Sequence, residues 1–415
     1  MTLLRFDHVD IVFGKRHALA HKMIDRGESK DEIFAKSGQV VAVRDATFGV
    51  QRGEIFVLMG LSGSGKSTLM RAANGLANVT RGKVYIDDRG EEIGISDCSR
   101  GMLRHLRTNR ISMVFQQFAL MPWRTVAENV GLGLEVRGVR SDLRRRRVAE
   151  VLDLVGLSEW ARKYPHELSG GMQQRVGLAR AFATDADLLL MDEPYSALDP
   201  LIRERLQDEL LLLQRGQRER ARKTILFVSH DLDEALKLGT RIAIMESGEI
   251  VQIGTAEDIV TRPASEYVRQ FIANVNPLNA LKAGTAMRRI DDLPRDPQAN
   301  DHIYLDETGS IRLRLNAAGQ PVEATVNGMP ASGMPYDDGL DLSSVPPNAL
   351  IAATPELPLR TVLELFHATG RTVPIVDDGG RLLGALGARE LAAGILRKPP
   401  PKRRRKRAPV LAIAG

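Results

Sequence analysis

Apolar and polar side chains alternate from Leu3 to Phe13, with Leu4, Phe6, Val9, Ile11 and Phe13 as the apolar positions, which predicts a half-exposed strand ended by Gly14. Between His17 and Lys36 the apolar positions Ala20, Met23, Ile24, Ile33 and Phe34 flank a Gly27-Glu28-Ser29 break. Ser29 is placed to cap a helix whose first turn carries Asp31 and Glu32, so a small helical insertion is expected here. A strand pattern resumes from Val40 to Val50, and Gln51-Arg52-Gly53-Glu54 turns into the apolar run Ile55-Phe56-Val57-Leu58-Met59. Arg81 to Asp87 and Ile111 to Phe115 read as further strands. Helical periodicity spans Val126 to Leu157, with Arg144 to Arg147 as a solvated basic face, and another helix opens near Ser169. Two apolar strands follow, one ending on Asp192-Glu193 and one, Thr224 to Ser229, ending on His230-Asp231. Strands alternating with helices, with polar residues at the strands' carboxyl ends, predict an open α/β sheet whose ligand site lies at those ends.

The chemistry centres on Gly60-Leu61-Ser62-Gly63-Ser64-Gly65-Lys66-Ser67-Thr68, between a predicted strand and a predicted helix. This spacing is that of a phosphate-cradling loop: glycines let successive N–H groups face an anion, and the helix N-terminus adds about half a positive charge. Lys66 is then expected to neutralise phosphate, and the Ser67 hydroxyl to meet Mg²⁺, a hard cation that prefers oxygen ligands. Adjacent carboxylates at a strand end are costly unless they serve a cation or a proton transfer. Asp192 directly follows the apolar run and is expected to partner Mg²⁺ through water; Glu193 is then free to activate the attacking water of in-line phosphoryl transfer.

Composition adds boundaries. The 415 residues, 43% hydrophobic, suffice for two or three domains. No apolar run reaches the roughly 18 residues of a membrane span, and the mean hydropathy is −0.17. The N-terminus lacks the layout of a secretory signal, which predicts a cytoplasmic location. The one cysteine, Cys98, excludes an internal disulfide. The net charge of +6 is modest and in part carried by residues 398–415, so it does not argue for nucleic acid.

The ordered set Gly60 to Thr68, Gln116, Leu168 to Arg175, Leu190 to Pro194, Ser196 to Asp199 and His230 resembles the nucleotide-binding subunit of an ABC transporter, over roughly residues 3 to 275. The resemblance implies a P-loop NTPase cassette: a mixed-sheet core with a helical subdomain at about 117–180, binding ATP and Mg²⁺. It implies a head-to-tail dimer in which Ser169, Gly170, Gly171 and Gln173 of one copy complete the site holding ATP in the other. By the same resemblance Gln116 joins metal and water to the permease's motion, Asp199 lies at the dimer seam, and His230 holds the γ-phosphate. The Ser-Gly-Gly helix start has an independent rationale as a second anion site for which one chain has no use. Many cassettes stack an aromatic residue on adenine; that position falls near Ser37 to Val40, which holds none, leaving Phe13 or Phe34 as substitutes.

The insertion after Gly14, the run Gly53 to Leu61, Phe118 to Pro122, Asp199 to Arg203 and Ser229 to Ala235 all resemble the ATPases of glycine betaine, proline or choline importers. That resemblance implies a peripheral subunit on the cytoplasmic face of a bacterial inner membrane, working with permease subunits and, indirectly, a periplasmic or lipoprotein solute-binding protein. The alternatives are an importer subunit for an amino acid or polyamine, and a non-transport ABC ATPase. Beyond a linker at Asn276-Pro277, residues 350–397 read as a helix, Arg360 to Thr369, two strands, Thr372 to Val376 and Leu382 to Leu386, and a helix from Ala388. This resembles one CBS motif in a smaller α+β domain, with a degenerate first copy expected within 276–349. The basic segment 398–415 is expected to be disordered and to gain about 1 kcal/mol per basic residue near anionic lipid.

Overall fold

The structure, a computed structural model, describes residues 1–215, 223–273, 276–296, 299–337 and 339–396; the basic segment 398–415 lies outside them. Two compact units divide the chain, the first holding residues 1–259 and 263–273, the second 260–262 and the chain from 274.

In the first unit the long strands β1 (Thr2–Phe13) and β2 (Val40–Gln51) pair antiparallel, and β4 (Arg81–Asp88) and β5 (Glu91–Gly94) extend that sheet in the order β2-β1-β4-β5. The link between β1 and β2 is the expected helical insertion, α1 (His17–Asp25) and α2 (Lys30–Ser37). Ser29 and Glu32 form a reciprocal capping box at the start of α2, which satisfies two of the helix's orphan N–H groups. Its apolar residues close against the strand ends in a small core of Val12, Ala20, Met23, Ile24, Ile33 and Val41.

A second sheet of six strands carries the chemistry. Its order is β10 (Glu249–Gly254), β9 (Arg241–Glu246), β3 (Ile55–Met59), β8 (Thr224–Val228), β7 (Leu188–Asp192) and β6 (Ile111–Val114). All neighbours pair parallel except β9 with β10. Every residue of β3, β7 and β8 is buried, as parallel strands covered on both faces must be. The carboxyl ends of β3, β7 and β8 therefore bring three loops, after Met59, Asp192 and Val228, to one edge.

The periodic stretch from Val126 to Leu157 is two helices rather than one: α5 (Val126–Val136) and α6 (Ser141–Leu154), after α3 (Lys66–Ala72) and α4 (Arg100–Asn109). Gly138, at φ +72°, makes the left-handed turn that separates α5 from α6. With α7 (Gly170–Ala183) they form the helical subdomain.

The second unit departs from the expected pair of motifs. Where a degenerate first copy was expected, a five-stranded antiparallel meander runs from Arg295–Asp296 through Ala299–Tyr304, Ile311–Leu315 and Pro321–Val326 to Met329–Pro330. Its inward residues, Ile303, Leu305, Ile311, Leu313 and Val326, share a core with Leu350, Leu382 and Ala385. The elements expected beyond it fall in place: the helix Leu359–Thr369, the antiparallel strands Val373–Val376 and Leu382–Leu386, and the helix Ala388–Ile395. A cavity of about 400 Å³ lies within this unit. Each of its three arginines is already engaged, Arg288 with Glu390, Arg389 with Glu307, and Arg371 with the Ala349 carbonyl.

Candidate nucleotide site

The loop after β3 is built on glycine. Gly60 sits at φ +145°, and a Cβ there would stand 2.2 Å from the Met245 carbonyl oxygen; at Gly65, φ +100°, it would stand 2.3 Å from that of Ala42. No other residue fits either place, so the curl that turns N–H groups toward one point is fixed by composition. Lys66, the first residue of α3, is buried, and its Nζ donates to the carbonyl oxygens of Gly60 at 2.8 Å and Leu61 at 2.9 Å, with the Ser64 hydroxyl at 3.4 Å. Burial lowers its pKa, while the nearby Glu193 and Asp192 charges hold it up. Among the described residues no carboxylate lies within ion-pair distance of it, so a desolvated cation faces a curl of amides. The arrangement fits a phosphate group. Ser62 is exposed at the loop's rim, Ser64 buried, and Thr68 half-buried on α3.

At the end of β7, Asp192 is fully buried. Its Oδ1 accepts from the Ser67 hydroxyl at 2.6 Å, and its Oδ2 pairs with Arg71 at 3.0 Å. Ser67 and Asp192 thus offer two hard oxygen atoms at one point, a donor set that suits Mg²⁺. Arg71 was not foreseen; the signal for it is its place four residues after Ser67 on α3, on the same face. Glu193 holds a left-handed backbone at φ +48°, uncommon outside glycine and costly unless its surroundings enforce it. Its Oε2 lies 3.2 Å from Gln116 Nε2 and 3.3 Å from His230 Nδ1. The structure therefore gathers Gln116, Glu193 and His230 into one group and Ser67 and Asp192 into another.

The remaining expected residues stand apart. Ser169 caps α7 by accepting from the Met172 N–H, and a Cβ on Gly170 would meet nothing within 4 Å. No hydrogen bond among the described residues joins Ser169, Gly170 or Gly171 to the phosphate loop. Gln173, expected at the nucleotide of a second copy, donates its amide to the Pro165 and Leu168 carbonyls of the preceding loop. The side chain that reaches inward is Gln174, 1% exposed, donating to the Glu193 carbonyl and accepting from Ala197 N–H. Asp199 caps α8 (Pro200–Arg215), accepting from Ile202 N–H at 3.0 Å. Asn129 was also missed: fully buried, it donates to the carbonyls of Met121, Arg124 and Thr125 and accepts from Met121 N–H, clasping the segment that follows Gln116.

The strand register bears on the two aromatic substitutes, Phe13 and Phe34. Phe13 lies directly opposite Val40, inside the stretch found to hold none, and is half exposed. Val40 is two residues from Ala42, whose carbonyl oxygen abuts Gly65.

Residues 43–196 match the ABC transporter family and residues 342–397 the CBS domain family. The glycine betaine/proline betaine transport system ATP-binding protein ProV of Escherichia coli is 41% identical over 381 residues, 90% of this chain and 93% of its own. The glycine betaine transport ATP-binding protein OpuAA of Bacillus subtilis is 50% identical over 71% of this chain and 68% of its own length. Among solved structures, the ATP-binding cassette MJ0796, in a dimeric post-hydrolysis state bound to ADP and Pi, is 30% identical with a TM-score of 0.52, covering 61% of this chain and 98% of that one. With the phosphate loop, the paired carboxylates and the capped Ser-Gly-Gly helix start all in place, the chain belongs to the ATP-hydrolysing subunits of ABC transporters, in the branch that holds the glycine betaine and proline betaine importers.

Proposed function

We propose that the protein powers uptake of a quaternary-ammonium osmoprotectant, such as glycine betaine or choline, or of proline. The observation that carries this is the similarity to ProV across nearly the whole of both chains, including the part beyond the cassette. The ATPase does not touch the cargo, so relatives named for trimethylamine N-oxide transport, 44% and 46% identical, support a second reading for another small methylated amine. Uptake of labelled glycine betaine, choline and trimethylamine N-oxide, measured with the chain co-expressed with its permease and binding protein, separates the readings. Accumulation of none of them would remove both.

In this reading the phosphate loop and Lys66 hold the triphosphate, and Ser67, Asp192 and Gln116 hold Mg²⁺, which supplies charge neutralisation at the phosphates. Glu193 takes the proton of the attacking water, His230 steadies the γ-phosphate, and Phe13 stacks on adenine. Ser169, Gly170 and Gly171, held open at the start of α7, meet the nucleotide of a second copy, with Asp199 at the seam. The clasped segment after Gln116 passes the closing motion to a permease in the bacterial inner membrane. A solute-binding protein delivers cargo on the far side. Residues 398–415 are proposed to contact anionic lipid; a chain ending at residue 397 that keeps the full salt response of transport in anionic vesicles would end that idea.

A further inference from the structure

Two loops leave the catalytic edge of the sheet side by side, Ser196 to Asp199 after β7 and Ser229 to Asp231 after β8, and one side chain joins them. Arg203, on the first turn of α8, pairs through Nη1 with Asp231 Oδ2 at 3.2 Å and donates through Nη2 to the Leu198 carbonyl at 3.4 Å. Asp231 is itself committed at its other oxygen, where Oδ1 accepts from Glu234 N–H to cap α9 (Leu232–Leu238). Glu234 is buried and accepts from the Ser229 hydroxyl at 2.6 Å and from Gln207 of α8 at 3.1 Å. Ser229 Oγ in turn accepts from Asp231 N–H at 2.9 Å. The backbone on either side of His230 is therefore pinned to α8 by two routes, and the carbonyl preceding Asp199 by one.

Between these groups lies a cavity of about 50 Å³, bordered by Glu193, Tyr195, Arg203, Ser229, His230 and Glu234. The Tyr195 hydroxyl and Arg203 Nε are buried there without a protein partner. Its volume and polar lining suit one ordered water, whose share of liquid volume is about 30 Å³. A polar cluster enclosed in this way has few alternative arrangements, because each unpaired member would carry a desolvation cost.

We propose that Arg203 is a positioning residue for hydrolysis: it fixes the loop carrying His230 in register with the loop carrying Asp199, so that docking of a second copy on one loop sets the other. The proposal rests on the reading of His230 and Asp199 as members of the composite site. Arg203 touches neither nucleotide nor metal; it acts through Asp231 and Leu198.

The test is a double-mutant cycle on the full chain with Arg203→Met, Asp231→Asn and both together; Asn keeps the Oδ1 acceptor that caps α9 and loses the charge. Each single change is expected to lower kcat for Mg-ATP hydrolysis roughly tenfold or more, as a misplaced catalytic group does. KM and the dissociation constant of a fluorescent ATP analogue should stay within about twofold. The double variant should be no slower than the slower single one, since both break one link. Arg203→Lys, able to reach Asp231 without Leu198, should recover part of the rate. Arg203→Met turning over at the parent rate, or a double variant slowed by the product of the two single effects, overturns the proposal. So does a loss of rate accompanied by an equal loss of analogue binding. Should Arg203→Met not fold, Asp231→Asn and Arg203→Lys decide the same question by the same readouts. His230→Ala separates the two levels: a His230→Ala chain with full activity removes the site reading, whereas an inactive one beside a fully active Arg203→Met removes this inference alone.

Discussion

Replacing Glu193 with Gln isolates proton transfer from everything else the site does. The substitution preserves side-chain volume and one oxygen, and the two contacts it weakens are long and wet: Gln116 Nε2 at 3.2 Å from an exposed residue, and His230 Nδ1 at 3.3 Å, with His230 62% exposed. Pairs of that kind contribute about 0.2 to 1 kcal/mol, so folding and ATP affinity should change little. A positioned general base contributes about 10² to 10⁴ in rate, which at 1.36 kcal/mol per factor of ten is about 3 to 5 kcal/mol of barrier. The expected variant therefore binds ATP as the parent does, accumulates an ATP-bound dimer, and turns over at least a hundredfold more slowly. Asp192→Asn is the contrast, because that carboxylate is fully buried between Ser67 and Arg71; it should lose Mg²⁺ dependence and stability together, and Lys66→Ala should lose nucleotide binding itself. Phosphate release by coupled assay and dimer mass by sedimentation, with and without ATP, read all three. A Glu193→Gln chain that hydrolyses ATP within threefold of the parent would refute the assignment of the base, and one that no longer binds ATP would refute the claim that Glu193 is separable from binding.

Phe13→Ser should weaken binding of ATP by about tenfold while leaving inorganic phosphate competition unchanged, since base stacking on an aromatic is worth about 1 to 3 kcal/mol; Phe34→Ser, on the exposed face of α2, should be silent in the same titration. Asn129→Leu strands the Met121 N–H and the Arg124 carbonyl, the Met121 and Thr125 carbonyls keeping backbone donors, and should lower stability by about 1 to 3 kcal/mol, seen as an earlier unfolding transition of the first unit by differential scanning calorimetry. Burial raises the pKa of Glu234 from its ordinary 4.5, so the folded chain holds that proton more tightly than the unfolded one. Its contribution to stability is then fully present below about pH 4.5 and is lost as pH rises through the folded value; urea unfolding at a series of pH values should show this slope in the parent and not in Glu234→Gln.

What the chain discloses without a structure is what is local. The phosphate loop is legible because its glycine spacing encodes a backbone shape, and the insertion because Ser29 and Glu32 form a capping box three residues apart. The break between α5 and α6 is also local, written in Gly138, but the apolar periodicity on both sides hides it. The meander of the second unit carries a strong signal in Asn327-Gly328, both at positive φ, the pair that a two-residue hairpin turn demands; the turn-rich composition around it reads instead as a broken motif. Phe13 could be placed only through strand register, because its partner Val40 is separated from it by the whole insertion. Gln173 and Gln174 show the limit of a motif: successive side chains leave a helix about 100° apart, and here Gln173 turns to the Pro165 and Leu168 carbonyls while Gln174 reaches Glu193 and Ala197.

In the proposed composite site, Gln174 joins the open start of α7 to the loop that begins at Glu193. The end of α7 presents Ser169 and Gly170 outward with nothing packed over Gly170, while one turn later Gln174 bonds to the carbonyl of Glu193 and the N–H of Ala197. Glu193 is in turn held at a left-handed φ, a conformation that persists only where neighbours enforce it. In the proposed dimer, a load applied at the open end of α7 would reach the loop that begins at Glu193 by two contacts, the buried Gln174 amide and Gly171, where a Cβ would stand 3.0 Å from the Ala197 carbonyl oxygen. The loop from Glu193 to Asp199 is joined in turn, through Leu198 and Arg203, to the loop of His230. On the proposed reading, closure at one nucleotide would be felt along that loop because the two places share consecutive residues, without the domain as a whole having to deform.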